Sequence, residues 1–69
     1  MSAVLEVVVN GAQARTRART LAELLVELGY GGSKVATARN GDFVPVRKRN
    51  TVELSGGDTI EIVSPRQGG

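Results

Sequence analysis

The chain has 69 residues, with nine Lys plus Arg, seven Asp plus Glu, and no Cys, His or Trp. This length holds one small domain, whose folding hides only about 60% of the surface its unfolded chain exposes. Without Cys there is no disulfide, thiolate metal site or catalytic thiol; without His the usual general base and commonest zinc ligand are missing.

The residues are 41% hydrophobic and 23% charged, a globular balance. No apolar run exceeds three residues, so no membrane-spanning segment is expected. No cationic stretch leads into an apolar one at the start, so no signal peptide is expected, and the chain is assigned to the cytoplasm. The net charge of +2 is mild. Arg15, Arg17 and Arg19 form one basic cluster, and Arg47, Lys48 and Arg49 a second. With only Tyr30 and Phe43 as aromatics, these clusters are assigned to a solvated edge strand and a solvated loop, with no nucleic-acid partner.

Val4 to Val9 is rich in β-branched residues and predicts a strand. Leu5, Val7 and Val9 share one face; Val4, Glu6 and Val8 share the other, which Glu6 marks as wet. Asn10-Gly11 is a strong hairpin signal, because both residues accept positive φ. Gln13 to Arg17 returns as a polar edge strand. Thr20-Leu21-Ala22-Glu23 is a capping box, in which Glu23 is expected to reach back to the cap residue's own amide. Leu21, Leu24, Leu25 and Leu28 follow at helical spacing as one apolar stripe, assigned to the core, and Gly29 stops the helix. Tyr30 to Ser33 is a connection. Its glycines lack the Lys-Ser or Lys-Thr pair of a phosphate loop.

Val35 to Arg39 predicts a third strand, closed by a second Asn-Gly at Asn40-Gly41. Phe43-Val44 begins a short segment, which Pro45 confines to an edge or a strand end. Thr51 to Leu54 is short extended structure, and Ser55 to Asp58 a turn. Thr59 to Val63 is the last strand, with Ile60 and Ile62 facing one way and Thr59, Glu61 and Val63 the other. The domain is thus residues 1–63, and residues 64–69 are a flexible tail.

One helix with a leucine stripe needs one sheet face to cover. The first hairpin is antiparallel, the helix crosses over, and the last strand can lie parallel to the first. This order gives an α+β, β-grasp (ubiquitin-like) fold: a mixed sheet of four to five strands with one main helix packed on one face. The tail ends in Gln67-Gly68-Gly69. Two residues without Cβ make a slim, conformationally free terminus that can thread a narrow cleft. A frayed chain end or a cloning remnant is the alternative.

The sequence resembles the ThiS family, the sulfur carriers of thiamin thiazole biosynthesis, over nearly its whole length. The resemblance rests on Val7-Val8-Val9-Asn10-Gly11 and the capped Thr20 to Leu25 helix. It continues through Val35-Ala36, Asn40-Gly41-Asp42-Phe43-Val44-Pro45, Gly57 to Val63 and Gln67-Gly68-Gly69. One departure is Val46, which stands between Pro45 and Arg47 where the family typically has Arg directly after the proline. The resemblance implies a carrier rather than an enzyme, with no catalytic residue and no metal or cofactor of its own. It implies that an E1-like adenylyltransferase (ThiF type) uses ATP to adenylate the Gly69 carboxylate. A sulfur donor system then forms a thiocarboxylate, which supplies sulfur to a thiazole synthase (ThiG type).

Gly68, Gln67 and Arg66 are assigned to tail recognition; for Arg66, steering the tail stands against a plainly solvated arginine. Val63 and Val8 are expected on the open sheet face, near one another, as a partner-docking patch. Ordinary exposed valines are the alternative. Glu6 and Glu61 are expected as neighbours there, without a pocket that would make them a catalytic pair. Two other functions stay open. One is a carrier of the molybdopterin-synthase small-subunit type, against which Gln67 counts. The other is a β-grasp RNA-binding or regulatory module, whose binding would fall steeply with salt.

Overall fold

A computed structural model describes residues 3–64. Five strands and one α-helix run in the order β1 (Leu5–Val9), β2 (Ala12–Thr16), α1 (Leu21–Glu27), β3 (Ala36–Arg39), β4 (Asp42–Val44) and β5 (Thr59–Val63). A 3-10 turn, Val46–Lys48, lies between β4 and β5. The five strands form one mixed sheet in the order β2-β1-β5-β3-β4. Its outer pairs are antiparallel hairpins, and β1 and β5 run parallel at the centre. The β-grasp topology expected from the sequence is present, with the polar β2 and the short, Pro45-terminated β4 at the two edges.

Both hairpins close on Asn-Gly. Asn10 and Asn40 have φ of 50° and 52°, and Gly11 and Gly41 follow at 84° and 87°. These angles match a type I′ turn, whose twist suits paired strands. A β-branched residue in their place would be strained.

The helix begins at Thr20, whose Oγ1 accepts from the Glu23 amide at 3.2 Å. Glu23 closes the cap differently from the expected box. Its Oε1 accepts from the Arg19 amide at 2.8 Å, one residue before the cap. Thr20 is bridged to Glu53 in an extended pairing, with Leu54 N–H donating to Arg19 O at 2.9 Å. The entering chain is therefore a short strand that presents the Arg19 amide to the carboxylate.

The core lies between α1 and one sheet face. Leu21, Leu24, Val7 and Ile60 are essentially inaccessible, and Leu25, Ile62, Val44, Val35, Ala18 and Leu54 complete it. Leu28 departs from the expected stripe: it is the C-cap residue and 39% exposed. The helix ends before this position reaches the sheet, and Gly29 turns the chain away at φ 91°.

The second basic cluster is not uniformly solvated. Arg47 and Lys48 are exposed, but Arg49 is buried. Its Nε donates to Thr37 Oγ1 at 3.1 Å and its Nη2 to Val35 O at 2.6 Å. Thr37 Oγ1 in turn donates to Val44 O at 3.0 Å. The guanidinium thus ties the 3-10 turn to β3 and β4. A buried cation is tolerable when its donors are satisfied.

Candidate functional site

Gly69, Gly68, Gln67 and Arg66 lie outside the described residues, as does most of the expected 64–69 tail. The structure fixes the base from which that tail leaves. The last core residue of β5 is Ile62, followed by Val63 and the exposed Ser64.

The base is held from both sides. On one side Val63 pairs with Ala36 and Ile62 with Thr37 in the antiparallel β3–β5 ladder. On the other side β1 gives out early, because only Val8↔Thr59 and Val9↔Ile60 pair before the chain turns at Asn10. The Asn10 side chain fills the gap. Its Oδ1 accepts from the Ile62 amide at 2.8 Å, and its Nδ2 donates to the Ile62 carbonyl at 3.2 Å.

A second clamp sits at the start of β5. Asn40 Oδ1 accepts from the Thr59 amide at 2.8 Å, and its Nδ2 donates to Asp58 Oδ1 at 3.1 Å. Asp58 is 5% exposed and also accepts from Arg39 Nε at 2.9 Å and the Ser55 amide at 2.8 Å. Burial pushes the Asp58 carboxyl up, but the Ser55 amide, the Arg39 guanidinium and the Asn40 amide outweigh it. The carboxyl is held below its ordinary value.

Among the described residues nothing covers the sheet face away from the helix. Alternation and the pairing registers place Gln13, Arg15, Glu6, Val8, Thr59, Glu61, Val63, Ala36, Ala38 and Phe43 on it. Val63 is 59% exposed, whereas Val8 is half-buried. The two valines are not neighbours. Val8 is opposite Thr59, which puts Val63 about 13 Å further along the strand at ~3.3 Å per residue.

Glu6 and Glu61 are also apart. Glu6 O accepts from the Gly57 amide and Glu6 lies beside Arg15, while Glu61 is opposite Ala38. The parallel β1–β5 overlap is short and offset, so the last three residues of β5, Glu61 to Val63, project past the end of β1.

The neighbours of Val63 come from β3 and β4 instead. Ala36 stands opposite Val63, Ala38 opposite Glu61, and Phe43 opposite Ala38. Phe43 is 69% exposed. The apolar surface beside the tail base is therefore Val63, Ala36, Ala38 and Phe43, with Glu61 at its side. Phe43 was not singled out as a docking residue from the sequence. Its signal was the hairpin register around Asn40-Gly41, which turns it to the same face as Val63.

Among the described residues the cations do not gather into one free stripe. Arg39 is engaged by Asp58, Arg49 is buried, and Arg15 lies 3.6 Å from Glu6 in an exposed pair. Such exposed pairs contribute little. Among the described residues no three His, Cys, Asp or Glu side chains come together as a metal site, and no helix is long and apolar enough to cross a membrane.

The solved structure of a thiamine biosynthesis protein (ThiS) from Geobacter metallireducens is similar to this chain. It superposes with a TM-score of 0.78 at 23% sequence identity, covering 94% of this chain and 100% of that one. That likeness shows the shared fold. No relative was found among curated protein sequences. The ThiS family matches residues 5–69, from the first strand through the terminal Gly-Gly. With that match and the β-grasp sheet together, the chain belongs to the ThiS family.

Proposed function

We propose that the protein is a sulfur carrier of thiamin biosynthesis that works through its C-terminal glycine. The observation that carries this is the family match running to the last residue, Gly69, on a domain whose final strand leads straight into the tail. Family membership supports the carrier role in thiamin biosynthesis. The finer chemistry follows from what a carboxylate requires.

A carboxylate is a poor electrophile until one oxygen becomes part of a good leaving group. The Gly69 carboxylate oxygen attacks the α-phosphorus of ATP on a ThiF-type partner, and pyrophosphate leaves. A sulfur nucleophile from the donor system then adds at the Gly69 carbonyl carbon, and AMP leaves. With hydrosulfide as that nucleophile, the C–O bond to AMP is replaced by a C–S bond, the sulfur-bound proton is lost to solvent, and the carrier holds a thiocarboxylate. A ThiG-type thiazole synthase takes the sulfur. The carrier contributes a main-chain carbonyl carbon, so it needs no Cys, and the sequence has none. Gly68 and Gln67 make the segment that enters the partner's cleft, with Arg66 steering it.

The partner must also grip the folded body. Val63 with Ala36, Ala38 and Phe43 offers an apolar patch beside the tail base. Val8, half-buried and further from the tail, plays a smaller part. The test is ATP–pyrophosphate exchange by a ThiF-type enzyme. Exchange that depends on the carrier and disappears when Gly69 is deleted supports the mechanism; exchange that persists without Gly69 contradicts it.

The dispersal of the arginines weighs against an RNA-binding module, which would keep its binding after loss of Gly68 and Gly69. A molybdopterin-type carrier would share the carboxyl chemistry and differ in its acceptor.

A further inference from the structure

In the β1–β5 ladder, the backbone amide of Asn10 donates to Ile60 O at 2.9 Å. In a continuing parallel ladder the next bonds would go to the amide and carbonyl of Ile62, from the backbone just past Asn10. Asn10 cannot supply them in that way, because its φ of 50° turns the main chain into the hairpin. Its side-chain amide does so instead. One carboxamide presents an acceptor to Ile62 N and a donor to Ile62 O, the two bonds that successive peptide units of a continuing strand would make.

The position of this surrogate peptide matters. Without it, the β1-side edge of β5 would have no partner at Ile62, two residues before Ser64. The direction of the chain at that point sets where the following residues start. Four residues separate Ser64 from Gly69. A start fixed in direction reduces what a partner must order when it takes the terminus.

The geometry points to Asn10 as a positioning residue that aims the C-terminal tail by completing the unpaired edge of β5 at Ile62. This role rests on the carrier function proposed above. It acts through the strand and touches no reacting atom. Asn40 is the internal comparison: it makes the same kind of clamp on β5, but at Thr59, the end remote from the tail.

The test uses Asn10→Gly and Asn40→Gly in the full chain. Glycine keeps positive φ in either turn without strain, so each variant removes the side-chain amide and spares the hairpin. Asn10→Asp keeps an acceptor for Ile62 N and loses the donor to Ile62 O. Native spectra and the amide exchange of Ile60, Ile62 and Val63 are recorded for each folded variant. The KM and kcat for carrier are then measured in pyrophosphate exchange with a ThiF-type enzyme.

The expected result for Asn10→Gly is exchange at Ile62 faster by about tenfold, as for loss of one hydrogen bond, with Ile60 unchanged. KM for the carrier rises about two- to tenfold while kcat holds, because the ordering cost falls on binding. Asn10→Asp is intermediate, and Asn40→Gly leaves KM at the wild-type value. Equal KM for wild type and Asn10→Gly, with wild type activated, overturns the positioning role and leaves the carrier function standing. An equal rise in KM for Asn40→Gly overturns it too, as a general stability effect. A wild-type chain that no ThiF-type enzyme activates overturns the carrier function and this role with it.

Discussion

Val63 and Ala36 face each other across the β5–β3 ladder on the uncovered side of the sheet. The small alanine leaves Val63 standing proud, and the chain leaves the sheet one residue later. Apolar surface in that place is available to whatever receives the tail. Val63→Asp puts a charge at an exposed position, so its effect on stability stays within about 0.5 kcal/mol. Its effect on docking is larger, because truncating or charging a central interface residue costs about 2 kcal/mol or more. The expected outcome is an unchanged melting temperature with KM for the ThiF-type enzyme raised about thirtyfold. Phe43→Asp shifts KM in the same direction, and Val8→Asp shifts it less. Equal KM for all three would remove the patch from the interface.

Asp58 predicts a pH dependence of stability. Its folded-state carboxyl lies below the ordinary value, so the unfolded chain takes up the proton first as pH falls. The stabilisation is fully present above the unfolded value of about 3.9 and is lost as pH drops through the lower folded value. Denaturant titrations of wild type should show stability falling below about pH 4, with a shallower fall in Asp58→Asn. At neutral pH that variant is expected to lose about 1–3 kcal/mol, since Arg39, Asn40 and the Ser55 amide give up their charged acceptor. A variant as stable as wild type at pH 7 would contradict this role.

Arg49 predicts a structural defect without a functional one. Arg49→Ala removes the donors to Thr37 Oγ1 and Val35 O and leaves a gap beside β3. Hydrogen bonds from a charged donor are worth about 1.5–3 kcal/mol, so a fall in melting temperature of about 10 °C is expected. Arg49→Lys keeps the charge without the fork of donors and should recover only part of it. If Arg49 were instead a solvated docking charge, both variants would melt like wild type and lose partner affinity.

Much of the fold was readable because local signals agreed. Both Asn-Gly turns, the helix start at Thr20, its stop at Gly29 and the inward pair Ile60 and Ile62 stand where the sequence places them. The parts that were not readable depend on register. The offset of β1 against β5 separates Val8 from Val63 and Glu6 from Glu61, and no local pattern encodes it. The Asn10 clamp joins residues 52 apart, so Asn10 reads from the sequence only as a turn former. Arg49 lies between two charged or polar neighbours and reads as loop; its burial is visible only once β3 supplies the acceptors. Phe43 reads as strand content, and its face follows from the hairpin pairing with Ala38. At the terminus, the Gly-Gly end was visible in the sequence, while the apolar surface beside its base was visible only in part, through Val63.

The most direct test of the carrier mechanism is the intact mass of the protein after incubation with a ThiF-type enzyme, ATP and a sulfide source. The mechanism predicts a gain equal to sulfur replacing one oxygen, located on Gly69 and absent from a variant lacking that residue. An unchanged mass, with the enzyme shown to be active on its own carrier, would contradict it.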